Sequence, residues 1–169
     1  MNSQFIISVI GPDLPGILKQ LTEVTHDRGG RWINSKICNM DGRFMALIKI
    51  DVPKEGQNAL QSALQQLNDV EVTIHPLSPP PKHDAVSAAF RIDADDRPGL
   101  INDISQLMAS HSINIDQLES HRLGVSDTGQ SLFTAKLQVT LPAELDPASL
   151  ARELEGLHEH IVVHPIPAL

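Results

Sequence analysis

The sequence predicts an α+β protein in which one βαββαβ unit is built twice, each an antiparallel sheet with two helices on one face. Three observations carry this. The turn Asp13-Leu14-Pro15-Gly16 returns 83 residues later as Asp96-Arg97-Pro98-Gly99. The apolar positions return with it: Ile7, Val9, Ile17, Leu18, Leu21 and Val24 align with Phe90, Ile92, Leu100, Ile101, Ile104 and Leu107. Farther along, Asp51-Val52-Pro53 meets Thr140-Leu141-Pro142, and His75-Pro76-Leu77 meets His164-Pro165-Ile166, now at an offset of 89. A turn that recurs with matched periodicity on both sides marks an internal duplication. The change of offset puts about six added residues near 124–130, a turn-rich stretch where a hairpin lengthens at little entropic cost.

In the first copy, Phe5 to Ile10 is β-prone. Pro15 suits a first helical turn, where its missing N–H costs nothing, and Asp13 is placed to cap that helix. Ile17, Leu18, Leu21 and Val24 follow helical spacing, and Gly29-Gly30 stops the helix. Trp32 to Asn39 and Arg43 to Val52 read as strands around Met40-Asp41-Gly42, a hairpin turn. Leu60, Ala63, Leu64 and Leu67 make a second amphipathic helix, and Val70 to His75 closes the sheet. The second copy follows as Ala85 to Asp93, Pro98 to Ser110, Ile113 to Gly124, Ser131 to Leu141, Pro147 to Leu157 and Ile161 to His164. This places a first domain at 1–77 and a second at 85–169, joined by a proline-rich spacer at 78–84. The layer pattern is that of a ferredoxin-like sandwich. Units of about 80 residues bury a limited core, so a homo-oligomer is expected.

Charge bounds the partners. With 13 Lys and Arg against 21 Asp and Glu, the formal net charge is -8. No basic run is available to neutralise phosphates, so direct nucleic-acid binding is not expected. No apolar run approaches the roughly 20 residues of a bilayer span, and Met1-Asn2-Ser3-Gln4 lacks the basic start of a secretory signal, so the expectation is a cytoplasmic protein off the membrane. A single cysteine, Cys38, excludes an intrachain disulfide.

The informative sites are the two turns, each leading from a first strand into a helix. Unpaired N–H groups and the helix dipole favour an anion there, such as an amino-acid carboxylate. Gly16 and Gly99 let a ligand or a neighbouring backbone come close. The same residues also make a plain helix cap, which is the commoner outcome on residue type alone.

The motif Asp-x-Pro-Gly-(Ile/Leu), opening a helix within βαββαβ, resembles the ACT domain, a small regulatory module that often binds amino acids. Two such units with no catalytic domain attached resemble the glycine cleavage system transcriptional repressor group. The stretch Gly29-Gly30-Arg31-Trp32-Ile33-Asn34-Ser35 is similar to that group's Gly-Gly-Asn-Trp-x-x-Ser. The resemblance implies a non-enzymatic regulator that senses a small amino acid, with glycine as candidate effector. It would repress glycine cleavage genes by engaging a DNA-binding transcriptional activator. The alternative is an amino-acid-sensing module that regulates a metabolic enzyme in trans. The ligand would lie against Asp96, Arg97, Pro98, Gly99, Leu100 and Ile101, with Asn114 close by, because the family often carries Asn at the start of the second strand. The corresponding set in the first copy is Asp13, Leu14, Pro15, Gly16 and Ile17, with Arg31 in place of the Asn. Arg31 departs from the family pattern, so the second copy is the expected binding unit.

Other residues carry less. His158, His160 and His164 invite a metal reading, but only the last two have the spacing to share a strand face and no Cys is near, so neither metal nor cofactor is expected. Cys38 and Trp32 read as a small apolar residue and as a core or interface anchor. An acylphosphatase-like enzyme would need an Arg in a phosphate-cradling loop; Arg97 is followed by Pro98-Gly99 without such a loop.

Overall fold

Alternation of apolar and polar residues builds the central strands of each sheet, and the burial there largely follows it. In a computed structural model, which describes residues 1–78, 85–124 and 131–168, the chain divides into two units, Met1–Pro80 and Pro81–Leu169. The first contains β1 (Asn2–Pro12), α1 (Ile17–His26), β2 (Arg31–Met40), β3 (Arg43–Pro53), α2 (Gln57–Gln65) and β4 (Glu71–Pro76). Its sheet has the order β2-β3-β1-β4, with every neighbouring pair antiparallel. The second contains β5 (Ala85–Asp95), α3 (Leu100–Ser110), β6 (Asn114–Gly124), β7 (Ser131–Pro142), α4 (Pro147–Glu155) and β8 (Val162–Ile166). Its order, β6-β7-β5-β8, repeats the first. The spacer at 79–84 and the added residues at 125–130 lie outside the described residues.

Each unit has its own core. In the first, Phe5, Ile7 and Val9 of β1 and Phe44, Ala46, Ile48, Ile50 and Val52 of β3 point to one side, where Ile17, Leu21, Leu60 and Leu64 of the helices cover them. In the second, Phe90, Ile92 and Ala94 of β5 and Phe133, Ala135, Leu137, Val139 and Leu141 of β7 meet Leu100, Ile104, Met108, Leu150 and Leu154. Of the helix stripes read from the sequence, Ile17, Leu21, Leu60, Leu64, Leu100, Ile104, Leu150 and Leu154 are buried, at roughly 1.5–3 kcal/mol per fully buried large apolar side chain, whereas Leu18 and Ile101 are exposed.

The helix entries differ from the sequence expectation. α1 and α3 begin at Ile17 and Leu100, and Gly16 and Gly99 are their N-caps in the left-handed region, at φ 97° and 92°. Pro15 and Pro98 therefore sit in the turn before the helix, not in its first turn. Asp13 does not cap: neither helix has a side-chain cap bond. Instead the Asp13 N–H donates to the Gly42 carbonyl and the Asp96 N–H to that of Ser131, both at 2.9 Å, anchoring each turn to the neighbouring hairpin strand. The glycine fixes the entry angle because an L side chain at this φ is strained. A Cβ at Gly99 would meet nothing closer than the Arg97 guanidinium at 3.9 Å, so its cost is backbone strain alone. Gly99→Ala is thus expected to destabilise the second unit by about 1–2 kcal/mol, read as a lowered melting temperature. A bulky residue there would perturb folding as well as any binding at the turn.

The helix exits are also duplicated. Gly29 is left-handed at φ 70° and the Gly30 N–H reaches back to the Thr25 carbonyl at 2.9 Å. In the second unit Ser112 takes the left-handed position at φ 55°, and the Ile113 N–H bonds the Met108 carbonyl. A bulge follows in both copies, between Trp32 and Asn34 and between Ile115 and Gln117. Trp32 is half-buried beside the first core, and its indole N–H donates to Thr25 Oγ1 at 3.2 Å. Cys38 is exposed on edge strand β2, not a packed apolar residue.

Candidate ligand-binding site

The second turn collects charge of both signs. The Arg97 guanidinium folds back over the start of α3, donating to the Asp103 carboxylate and, at 3.3 Å, to the Pro98 carbonyl. Arg122, near the end of β6, donates to Asp96 Oδ1 at 2.8 Å. Asp95 and His160 pair at 2.8 Å beside them. Arg97 and Asp103 are each about 30 % exposed and Asp96 is 19 % exposed. They are reachable but partly shielded, where a charge-assisted bond is stronger than on an open surface. The Arg97 Nε is buried without a partner among the described residues, an unsatisfied donor in the turn itself. Such a cluster can receive a small zwitterion, its carboxylate on a guanidinium and its ammonium on Asp96 or Asp103.

The first turn lacks this equipment. Leu14 stands where Arg97 does and is 51 % exposed, and Asn39 stands where Arg122 does. Nothing lies within 4 Å of a Cβ at Gly16. Sequence reasoning reached this asymmetry through Arg31 and Asn114 and missed Arg122, which lies 26 residues from Asp96. Only the pairing of β6 with β7, with Gly124 opposite Ser131, brings Arg122 to the turn.

Asn114 is not beside the turn of its own unit. It opposes Thr140 on β7, whereas Asp95, at the turn, opposes Leu132. At ~3.4 Å per residue the two positions are about 27 Å apart. Arg31 is displaced in the same way: it opposes Asp51, while Pro12 opposes Arg43. The second strand starts at the opposite end of the sheet from the turn because β2 and β6 run parallel to β1 and β5. Of the residues named from the sequence, the structure groups Asp96 to Ile101 and, separately, Asp13 to Ile17. It places Asn114 and Arg31 at the far end of the sheet from the turn of their own unit.

Arg31 instead belongs to a polar cluster around Asp51. The Asp51 carboxylate is 4 % exposed and accepts from Asn2 Nδ2 at 2.7 Å, Gln4 Nε2 at 3.1 Å and Arg31 Nε at 3.2 Å. The Gln4 bond, and behind it those of Asn2 and Arg31, hold this carboxyl below its usual pKa, against the upward push of burial. A depressed folded-state pKa gives stability that is present above the unfolded value near ~4 and lost as pH falls through the folded value. The melting temperature of the wild type should therefore exceed that of Asp51→Asn most above about pH 5, and the gap should narrow toward pH 2–3.

Two arrangements resemble catalytic or metal sites and are not built as such. Ser8 Oγ and His75 Nε2 are 2.9 Å apart on the open sheet face, with no carboxylate bonded to the imidazole among the described residues. His158 bonds the Glu159 carbonyl and His160 bonds Asp95; no cluster of three metal-ligating side chains occurs among the described residues. No helix among them is long and apolar enough to cross a membrane.

Residues 3–75 and residues 88–159 each match an ACT-domain family model. The chain belongs to the ACT-domain family, with two copies in tandem. Two solved structures share the architecture over the whole chain. A protein of unknown function from Galdieria sulphuraria is 19 % identical with a TM-score of 0.86, covering 100 % of both chains. A proposed glycine cleavage system transcriptional repressor is 18 % identical with a TM-score of 0.72, covering 99 % of both. At these identities the likeness is one of fold. No curated protein sequence matches the chain.

Proposed function

We propose that this tandem ACT protein is a non-enzymatic regulator that senses a small amino acid at the second turn. The carrying observation is the pairing of Arg97 with Asp103 and of Arg122 with Asp96 around a glycine-capped helix start. An amino acid presents a carboxylate and an ammonium a few ångströms apart, and this cluster offers partners for both. Glycine, which presents the carboxylate and the ammonium with no side chain, is the effector we favour. Asn114 has no role within its own unit in this reading. It can reach a ligand only where another unit brings its strand start to the turn.

Control of glycine cleavage genes is the output we favour, supported by the whole-length likeness to a proposed repressor of that system. It would run through a DNA-binding activator, since a chain of net charge -8 has no stripe with which to hold phosphates. The test uses purified chain, purified activator and operator DNA. The chain alone should give no shift at physiological salt, and it should change the activator's shift in a glycine-dependent way. A tight, salt-sensitive shift by the chain alone contradicts the indirect route.

A further inference from the structure

The two sheets have the same topology, yet their helix-free faces differ position by position. On the first, Ile10, Met45, Leu47 and Met40 stand where the second has Asp93, Thr134, Lys136 and Leu123. Ile10, Leu47 and Met40 are 50, 53 and 63 % exposed. Lys36, Lys49 and Arg43 share this face with one exposed acid, Glu71 beside Ile10, and neither Lys49 nor Arg43 has a carboxylate partner among the described residues. The second face carries Asp93, Asp95 and Glu119, partly offset by Arg91 and Lys136, beside the exposed Leu123, Leu132 and Val162. The units differ likewise in total charge. Residues 1–78 hold seven Lys and Arg against eight Asp and Glu, and residues 85–169 hold five against twelve.

We propose that the helix-free sheet face of the first unit is an assembly surface whose occupant is the second unit's sheet face in another copy of this chain. Apolar patches meet at the centre, and the basic rim of one face meets the acidic residues of the other. A patch of adjoining, half-exposed large apolar side chains on a sheet is what a buried interface requires. Size points to a twofold dimer. Four strands ~4.8 Å apart and about seven residues long give each face roughly 500 Å², so one face pair buries about 1,000 Å². A twofold dimer forms the pair twice and reaches about 2,000 Å², within the range of stable interfaces. Formed reciprocally between two copies, the contact is isologous and closes. The expected self-association thereby gains a surface, independent of the ligand reading.

Sedimentation velocity over a range of protein concentrations tests this. The wild-type chain should dimerise, and more weakly at 500 mM than at 50 mM NaCl. Leu47→Asp, and separately Leu123→Asp on the opposing face, should each raise the dimer dissociation constant about 100-fold, because the dimer contains each side chain twice. Leu18→Asp, on the helix side and 45 % exposed, is the control and should leave it unchanged. Circular dichroism establishes that each variant is folded; if Leu47→Asp is not, the Arg43→Glu/Lys49→Glu double variant decides in its place. A wild type monomeric at all concentrations overturns the proposal. So does a dimer indifferent to the change on either face.

Discussion

Phe90→Ala is expected to unfold the second unit well before the first. Phe90 is fully buried at the centre of the second core, between the β7 side chains and the helices, and removing its ring costs about 3–5 kcal/mol. A unit of this size has only a few kcal/mol in hand. The first core shares no residue with the second. Trp32, the only tryptophan, packs against the first core and so reports on that unit by fluorescence. In a melt of Phe90→Ala, the far-ultraviolet signal should fall early by about half while Trp32 fluorescence keeps its wild-type midpoint. A Trp32 transition that moves with the far-ultraviolet signal would mean that the two cores unfold as one.

Arg97→Ala should weaken amino-acid binding about 10- to 100-fold. The estimate takes one charge-assisted contact at about 1.5–3 kcal/mol, and Arg97 carries the unsatisfied donor of the turn. The helix should survive, since Arg97 lies before its cap and Gly99 sets the entry. Arg122→Ala should act in the same direction, by removing a cation and by leaving the Asp96 carboxylate unpositioned. Leu14→Ala in the first unit should leave affinity unchanged. Titration calorimetry with glycine reads all three, with thermal melts to confirm folding.

The fold was legible because two signals agreed. Helical spacing picked out Ile17, Leu21, Leu60 and Leu64, and their counterparts Leu100, Ile104, Leu150 and Leu154, all of which are buried. Strand alternation picked out Ile7, Val9, Phe90 and Ile92. Element ends were less legible, because capping depends on backbone angles rather than on side-chain type. Asp13 and Pro15 had the right chemistry for a cap and a first turn, but the left-handed glycines place the helix start beyond them.

The site was legible only in its local part. Asp96 to Gly99 are contiguous, so their turn could be read directly. Arg122 joins them through the register of a hairpin whose connection differs in length between the copies, and no local pattern reveals it. Asn114 failed for the converse reason. It was attached to the turn by resemblance, but strand direction places it at the other end of its sheet. The Asp51 cluster draws Asn2, Gln4 and Arg31 from two strands that flank β3, again a matter of register.

The central claim is that the charged turn of the second unit receives a small amino acid. Calorimetric titration of the purified chain with each of the twenty amino acids tests it most directly. The expected result is saturable binding of glycine, or of another small amino acid, that is lost in Arg97→Ala and kept in Leu14→Ala. Binding of none of the twenty, or binding that Arg97→Ala and Arg122→Ala both leave unchanged, would contradict it.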